Sequence, residues 1–410
     1  MGASKPGIAM LSAHSCPVGN LGAKDTGGMS VYVREIAREL GKQGILVDVY
    51  TRVHDPKDNQ IVELGQNARL IHLRAGKDRD MHKLAVYPYL PDFAYNLENF
   101  RKHNNLHYDL VFSHYWLSGW VGKYLQRWWH VPHVMVFHTL GAVKNAIGIG
   151  EKEPGLRIET EMHLTKSCHR IIATTEREKD DLIRHYGASP ERIRVIPCGV
   201  NLDLFQPKDK EIARQQLGFG EGKGLLFVGR IEPLKGIDRL LRAMTYLQNG
   251  HRLRAVIIGG DGNRHNEVAR LKRLSRELRI EDSVTFLGVV KHEKLPCFYS
   301  AATACVIPSY YESFGLVALE SIACGTPVVA TDVGGLKSII HQGETGHVVM
   351  DDSPRSLADK IALLLSSPDA KSALSIRASV TRFSWSNIAQ QIINEVLADY
   401  FAQRAQIVSP

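Results

Sequence analysis

The sequence predicts an α/β protein built as two doubly wound, Rossmann-like domains that face each other across a cleft. Three observations carry that reading. The chain has 410 residues, and a single hydrophobic core rarely grows that large. Short β-branched runs alternate with helical patterns from end to end, the signature of parallel sheets covered by helices on both faces. A break rich in proline and charge, PCGVNLDLFQPKDKE at 197–211, divides that series in two.

The strands follow in order. In the first half they read GIAMLSA, ILVDVYT, RLIHLRA, YDLVFSH, HVMVFHT, RIIATT and RIRVIPC. After the break come GLLFVGR, RAVIIGG, SVTFLGV, ACVIPS, PVVATD and GHVVM. Intervening segments such as SVYVREIARELGKQG and NEVARLKRLSRELRI place apolar residues three and four apart, the helical period. The expected division is one Rossmann-like domain over 1–200, a second over 201–383, and a tail over 384–410. The tail, SWSNIAQQIINEVLADYFAQRAQ, reads as one long amphipathic helix that needs an apolar surface to cover. Packing back across the domain interface would supply one.

Composition narrows the function classes. Hydrophobic residues are 44% and charged residues 23%, ordinary for a globular protein. No apolar run approaches the roughly 20 residues of a membrane span, and the N-terminus carries no signal-peptide pattern. Six cysteines show no C-x-x-C spacing and several sit in apolar runs, which reads as free, buried thiols in a reducing cytoplasm. A net charge of +8 favours anionic ligands. No Lys/Arg block is interleaved with aromatics, so nucleic acid is not the expected partner. Trp128-Trp129 reads as helix-end packing rather than a membrane anchor.

In open α/β sheets, ligand loops lie at the strand C-termini, so the loops carry the chemistry. KDTGGMSVYV at 24–33 follows the first strand but is neither G-x-G-x-x-G nor G-x-x-x-x-G-K-[ST]. Gly27 and Gly28 would let backbone come close to a ligand where bulky side chains could not sit. PSYYESFGLVALESIACGTPVVATDVGG at 308–335 is a strand end, a polar-aromatic loop and a glycine-led helix. Its helix N-terminus offers free N–H groups to an anion, between Glu312 and Glu320. In FVGRIEPLKGIDRLLRA at 227–243, Arg230 and Lys235 put two cations beside a helix start, which suits a pyrophosphate. GGDG at 259–262 reads as a structural turn.

E-x7-E, R-x4-K and the glycine pair together resemble the family-four retaining glycosyltransferases of GT-B architecture. The likeness runs over nearly the whole chain. Within that family, GGMSVYVREIARELGKQG, SHYWLSGWVG, FHTLGAVKN and ESFGLVALES look like the enzymes that open mycothiol synthesis by moving N-acetylglucosamine from a UDP donor to inositol phosphate. HTLGAVK and KLAVYPYL are also similar to sucrose-phosphate synthases, which use UDP-glucose and fructose 6-phosphate.

The resemblance implies roles. Arg230 and Lys235 would hold the donor diphosphate, and Glu312 the transferred sugar's hydroxyls, with backbone N–H groups of Phe314, Gly315 and Leu316 nearby. Glu320 would bind the ribose. His138 would meet the donor sugar beside the reacting carbon. Gly27 and Gly28, in the domain that would bind the acceptor, would approach the donor diphosphate and sugar from the side opposite Arg230 and Lys235, in the domain that would bind the nucleotide sugar. Lys83, Tyr115, Thr139 and Arg157 match positions that hold an acceptor phosphate, and Lys144 matches a lysine near the acceptor. Ser30 stands where the mycothiol-pathway enzymes have an Asn that touches the inositol ring, so it too would contact the acceptor, and Met29 stands where sucrose-phosphate synthases have Gln. The acceptor's identity therefore stays open at this point. A UDP-sugar is the implied donor substrate, with no cofactor or metal required, because the cations already balance the diphosphate. Small-molecule substrates, a cytoplasmic location, no membrane partner and a homodimer complete the expectation.

Three other classes compete. A glycoside hydrolase would use Glu312 and Glu320 as its carboxylate pair but has no use for Arg230 and Lys235. A nicotinamide-dependent oxidoreductase would need a glycine fingerprint that is absent after the first strand. A non-catalytic sugar-nucleotide-binding protein would bind without turnover.

Overall fold

The computed structural model describes residues 5–19, 26–219, 222–247, 253–260, 265–366, 372–398 and 400–401. Lys24 and Asp25 of the opening loop, half of GGDG and the end of the tail lie outside the described residues.

The first domain is one sheet of eight strands. These are β1 (Gly7–Leu11), β2 (Leu46–Arg52), β3 (Ile61–Gly65), β4 (Ala68–Leu73), β5 (Leu110–His114), β6 (His133–Val136), β7 (Arg170–Ala173) and β8 (Ile193–Val195). Their spatial order is β3-β4-β2-β1-β5-β6-β7-β8. The second sheet has six strands: β9 (Lys223–Val228), β10 (Leu253–Ile258), β11 (Val284–Gly288), β12 (Ala304–Ile307), β13 (Val328–Thr331) and β14 (Gly346–Val349). They lie in the order β11-β10-β9-β12-β13-β14. In each sheet the order reverses beside the first strand of that domain, β1 or β9. Such a switch point opens a crevice at the strand C-termini. The central strands are apolar on both faces because helices cover both sides; β1 is buried throughout.

Every strand read from the sequence is present. One strand was not read: β3 pairs antiparallel with β4, at the outer edge of an otherwise parallel sheet. The hairpin turns at Gln66-Asn67, with Asn67 in the left-handed region at φ 56°. IVELG shows mostly its edges to solvent, so it lacks the apolar run that marks its neighbours.

Two glycines that shape the second domain's ligand loops are sterically required. Gly315, at φ 106°, caps the helix Leu316–Ala323, and an added Cβ would fall 2.5 Å from Leu336. Gly236, at φ 62°, starts the helix Ile237–Thr245, and its Cβ would meet the Pro308 carbonyl at 2.0 Å.

The tail begins as the α-helix Trp385–Ile392 and widens into a π-helical turn at Ile393–Leu397. It packs on the first domain: Trp385 meets Tyr32 edge-on at 5.6 Å between ring centres. Val31, Tyr32 and Ile36 share one buried cluster with Trp385, Ile388 and Ile392. The segment after β8 is tied to the same region, with Val200 N–H donating to Phe383 O at 2.7 Å and Arg377 to Leu202 O at 2.7 Å. Of the tryptophan pair, only Trp129 packs at the helix end, donating to Glu98 Oε2 at 2.8 Å; Trp128 is 52% exposed. Cys16, Cys168, Cys198, Cys305 and Cys324 are buried and free, and Cys297 is partly exposed.

Candidate active site

The facing strand ends of the two sheets enclose a cleft cavity of about 360 Å³. The first domain contributes Gly27, Gly28, Lys83, Tyr115, His138, Thr139 and Lys144 to its wall. The second contributes Arg230, Lys235, Glu312, Phe314, Gly315, Leu316 and Glu320. Fourteen residues singled out from the sequence therefore line one cavity, although they come from many separate loops. Direct contacts span it: Leu140 N–H donates to the Tyr311 hydroxyl at 3.3 Å.

On the second-domain side the cations and carboxylates are already paired. Lys235 Nζ donates to Glu312 Oε1 at 2.6 Å, and Ser309 Oγ donates to the same oxygen at 2.8 Å. Arg230 forms an ion pair with Glu232 at 3.0 Å. Beside them, the N-terminus of the helix Leu316–Ala323 opens onto the cavity, the arrangement that suits an anion. Glu320 is buried on the inner face of that helix. Its two oxygens accept from His292 Nε2 at 2.9 Å and from the Tyr299 hydroxyl at 2.8 Å. Burial works against a charged imidazole at His292, but Glu320 outweighs it and raises the His292 pKa. These two partners of Glu320 carry no motif of their own and were not read from the sequence.

On the first-domain side, His138 and Tyr115 follow β6 and β5 with left-handed backbone, at φ 61° and 73°. Bulky non-glycine residues adopt that conformation at a cost of about 1–3 kcal/mol each, and such strain clusters at functional sites. His138 Nε2 lies 3.0 Å from His114 Nδ1, and Tyr32 meets the His138 ring edge-on. Burial pushes the His138 pKa down to about 3, so the imidazole is neutral at physiological pH. Burial also raises the Tyr115 hydroxyl to about 12, against the pull of Arg157, whose guanidinium stacks 4.8 Å over its ring.

Two expected acceptor contacts are set back from the wall. Arg157 is fully buried and committed: Nε donates to Glu161 at 2.7 Å, and NH2 to Thr139 O and Oγ1 at 2.7 and 2.9 Å. It positions Thr139 and Tyr115, which do face the cavity. Ser30 is also fully buried, with its hydroxyl 2.7 Å from that of Ser15. The glycine pair lies on the cavity wall. Gly27 has extended backbone at φ −175°, and a Cβ there would meet no protein atom within 4 Å. The room beside it is open cavity. At Gly28 an added Cβ would touch Leu316 across the cleft at 3.1 Å. Two further residues, one on the first-domain wall and one behind it, carry no sequence motif. His14, after β1, stacks on Tyr115 at 4.7 Å with its buried Nδ1 unpartnered. Glu153 gathers Lys83 and Lys144, whose ammonium groups approach it to 2.6 and 2.5 Å. The only sequence signal for either is a polar residue beside a strand end or a proline.

Two Rossmann-like domains with a cation-rich cleft at their facing strand ends make up the GT-B architecture. Residues 26–204 match the model for Glycosyltransferase Family 4, and residues 209–380 match that for Glycosyl transferases group 1. The chain belongs to the family-four glycosyltransferases. It is 39% identical over 394 residues to D-inositol 3-phosphate glycosyltransferase 2 of Catenulispora acidiphila, covering 93% of this chain and 92% of that protein. It is 40% identical to the D-inositol 3-phosphate glycosyltransferase of Acidothermus cellulolyticus, covering 97% and 91%. Among solved structures, sucrose-phosphate synthase from Thermosynechococcus elongatus superposes with a TM-score of 0.89 at 34% identity, over 97% of this chain and all of that one. Anabaena HepE in complex with UDP and glucose shares the fold, with a TM-score of 0.75 at 20% identity over 95% and 98%. Glycosyl transfer is therefore the activity of the family. Among the described residues, no helix is long and apolar enough to cross a membrane.

The His138 environment makes a prediction. Its imidazole signals, assigned by loss in His138→Asn, should not move between pH 7.5 and pH 5 in an NMR titration, because the group stays neutral down to about pH 3. A midpoint near the free-histidine value of about 6.5 would contradict this environment.

Proposed function

We propose that the chain is a retaining glycosyltransferase that moves a hexose, N-acetylglucosamine or glucose, from a UDP-sugar to a phosphorylated polyol or sugar such as inositol phosphate. The observation that carries the reading is one cavity lined by two cations from each domain. Arg230 and Lys235 come from the second domain and would take the donor, and Lys83 and Lys144 come from the first and would take the acceptor. A substrate pair with a diphosphate on one side and a phosphate on the other matches that arrangement. The named inositol-phosphate relatives support it at close to 40% identity. The second reading is transfer of glucose to fructose 6-phosphate, supported by the 0.89 TM-score and 34% identity to a sucrose-phosphate synthase.

The chemistry follows from the residues. The UDP diphosphate sits on Lys235, Arg230 and the N-terminus of the helix Leu316–Ala323. The ribose hydroxyls sit on Glu320, held in place by His292 and Tyr299. When the diphosphate arrives, Lys235 turns to it and Glu312 is left to accept from the sugar's hydroxyls. Breakage of the C1–O bond leaves negative charge on the diphosphate, which Lys235 and Arg230 stabilise. In front-face displacement, the acceptor hydroxyl attacks C1 from the side the diphosphate leaves. Its proton passes to the departing phosphate oxygen, so configuration is retained. No carboxylate nucleophile takes part. Catalysis then rests on positioning and charge stabilisation, and the neutral His138 serves as a hydrogen-bonding wall rather than a cation.

Two measurements test this. A UDP-release assay crosses UDP-glucose and UDP-N-acetylglucosamine with inositol phosphate, fructose 6-phosphate and unphosphorylated inositol. Turnover should require a phosphorylated acceptor; equal use of free inositol would remove the phosphate reading. In the same assay Lys235→Ala should lower kcat at least about a hundredfold, the scale of losing one preorganised charge-stabilising group. A near-wild-type turnover number would remove that role.

A further inference from the structure

Glu153 is 3% exposed, yet three cations converge on it. Lys83 Nζ donates to both carboxylate oxygens, at 2.7 and 2.6 Å. Lys144 Nζ donates to Oε1 at 2.5 Å, and Arg157 Nη1 lies 3.0 Å from the same oxygen. The backbone of Glu153 is pinned from both sides by one residue. Its N–H donates to Asn145 Oδ1 at 2.7 Å, and its carbonyl accepts from Asn145 Nδ2 at 3.0 Å. Lys83 and Lys144 line the cleft cavity, and Glu153 stands behind them.

This geometry sets the ammonium groups in a definite way. An ammonium has three N–H donors. Lys83 uses two on Glu153 and Lys144 uses one, which leaves one and two of the three for a ligand in the cavity. Arg157 adds no net charge, because Glu161 balances it at 2.7 Å. Two ammonium groups drawn together without an anion would repel each other and shed a proton. We propose that Glu153 is the positioning residue of the acceptor site, holding Lys83 and Lys144 side by side and charged so that their remaining N–H groups grip the acceptor's phosphate. The proposal rests on the reading of a phosphorylated acceptor. The electrostatics agree. Burial is the largest influence on Lys83 and, with Lys144 and Arg157, leaves its pKa below the ordinary lysine value, while Glu153 alone pulls it back up. Burial disfavours the Glu153 charge, but Arg157, Lys144 and Lys83 hold its pKa down to about 2. The groups that face Lys83 are thus Glu153, Lys144 and Arg157, with His14 close by and neutral.

The test is Glu153→Gln, assayed with whichever of inositol phosphate and fructose 6-phosphate the wild type turns over better. KM for that acceptor should rise at least about tenfold, with kcat changed less than about threefold, the scale of losing one preorganising charge in a site. The alkaline limb of kcat/KM should move to lower pH, because Lys83 loses the anion that keeps it protonated. UDP affinity, measured by calorimetry, should stay at the wild-type value. Glu153→Asp keeps the charge on a shorter arm, so KM should rise without movement of the alkaline limb. An unchanged or lower KM with an unmoved limb in Glu153→Gln overturns the proposal. If Glu153→Gln does not fold, an unchanged KM in Glu153→Asp overturns it. Failure of the underlying reading looks different: the wild type itself would then use phosphorylated and free inositol equally well.

Discussion

The ion pair between Lys235 and Glu312, at 2.6 Å in the wall of the cleft, sets the pattern for the whole site. A lysine that waits on a carboxylate is charged, desolvated and aimed before any ligand arrives. On the proposed reading, an incoming diphosphate, with more charge than a carboxylate, would compete for that ammonium and free Glu312 for sugar hydroxyls. Arg230 waits on Glu232 in the same way, and Lys83 and Lys144 share Glu153. Each of these four cations thus has a resident anion. On the proposed reading Lys235 and Arg230 exchange theirs for the diphosphate, whereas Glu153 keeps its hold on Lys83 and Lys144, and in neither case are loose side chains ordered. That lowers the entropy lost on binding, since long cationic side chains are already fixed.

The fold makes these exchanges possible by bringing strand ends together. Lys235 and Glu312 follow β9 and β12, which neighbour each other in the second sheet. Gly236 lets the first of these loops pass close to Pro308 in the second, and Gly315 turns the chain into the helix whose N-terminus faces the cavity. Tyr115 and His138 follow the adjacent strands β5 and β6, with strained backbone that the surrounding packing imposes. The tail helix then locks the two halves, with Trp385 set against Tyr32 beneath the His138 ring.

Much of this was legible in the sequence because it is periodic or motif-borne. Fully buried strands write themselves as apolar runs, and β1 or β12 could be read directly. β3 could not, because an edge strand buries one face at most. E-x7-E and R-x4-K marked Glu312, Glu320, Arg230 and Lys235, since local spacing on a loop and helix survives folding. Partners brought in from elsewhere leave no such trace. Glu153, His14, His292 and Tyr299 act through contacts that only tertiary structure creates, the last over a sequence distance of 21 residues. Arg157 shows the converse. The resemblance implied an acceptor-phosphate contact for it, and only the folded chain shows its side chain buried inside the wall and bonded to Glu161 and Thr139.

The most direct test of this account is a crystal structure of the chain with UDP bound. The account predicts the diphosphate between Arg230, Lys235 and the N-terminus of the helix Leu316–Ala323, the ribose on Glu320, and Lys235 Nζ moved from Glu312 onto phosphate oxygen. UDP seated instead against Lys83 and Lys144, or a Lys235–Glu312 pair left intact with the diphosphate out of reach, would contradict it.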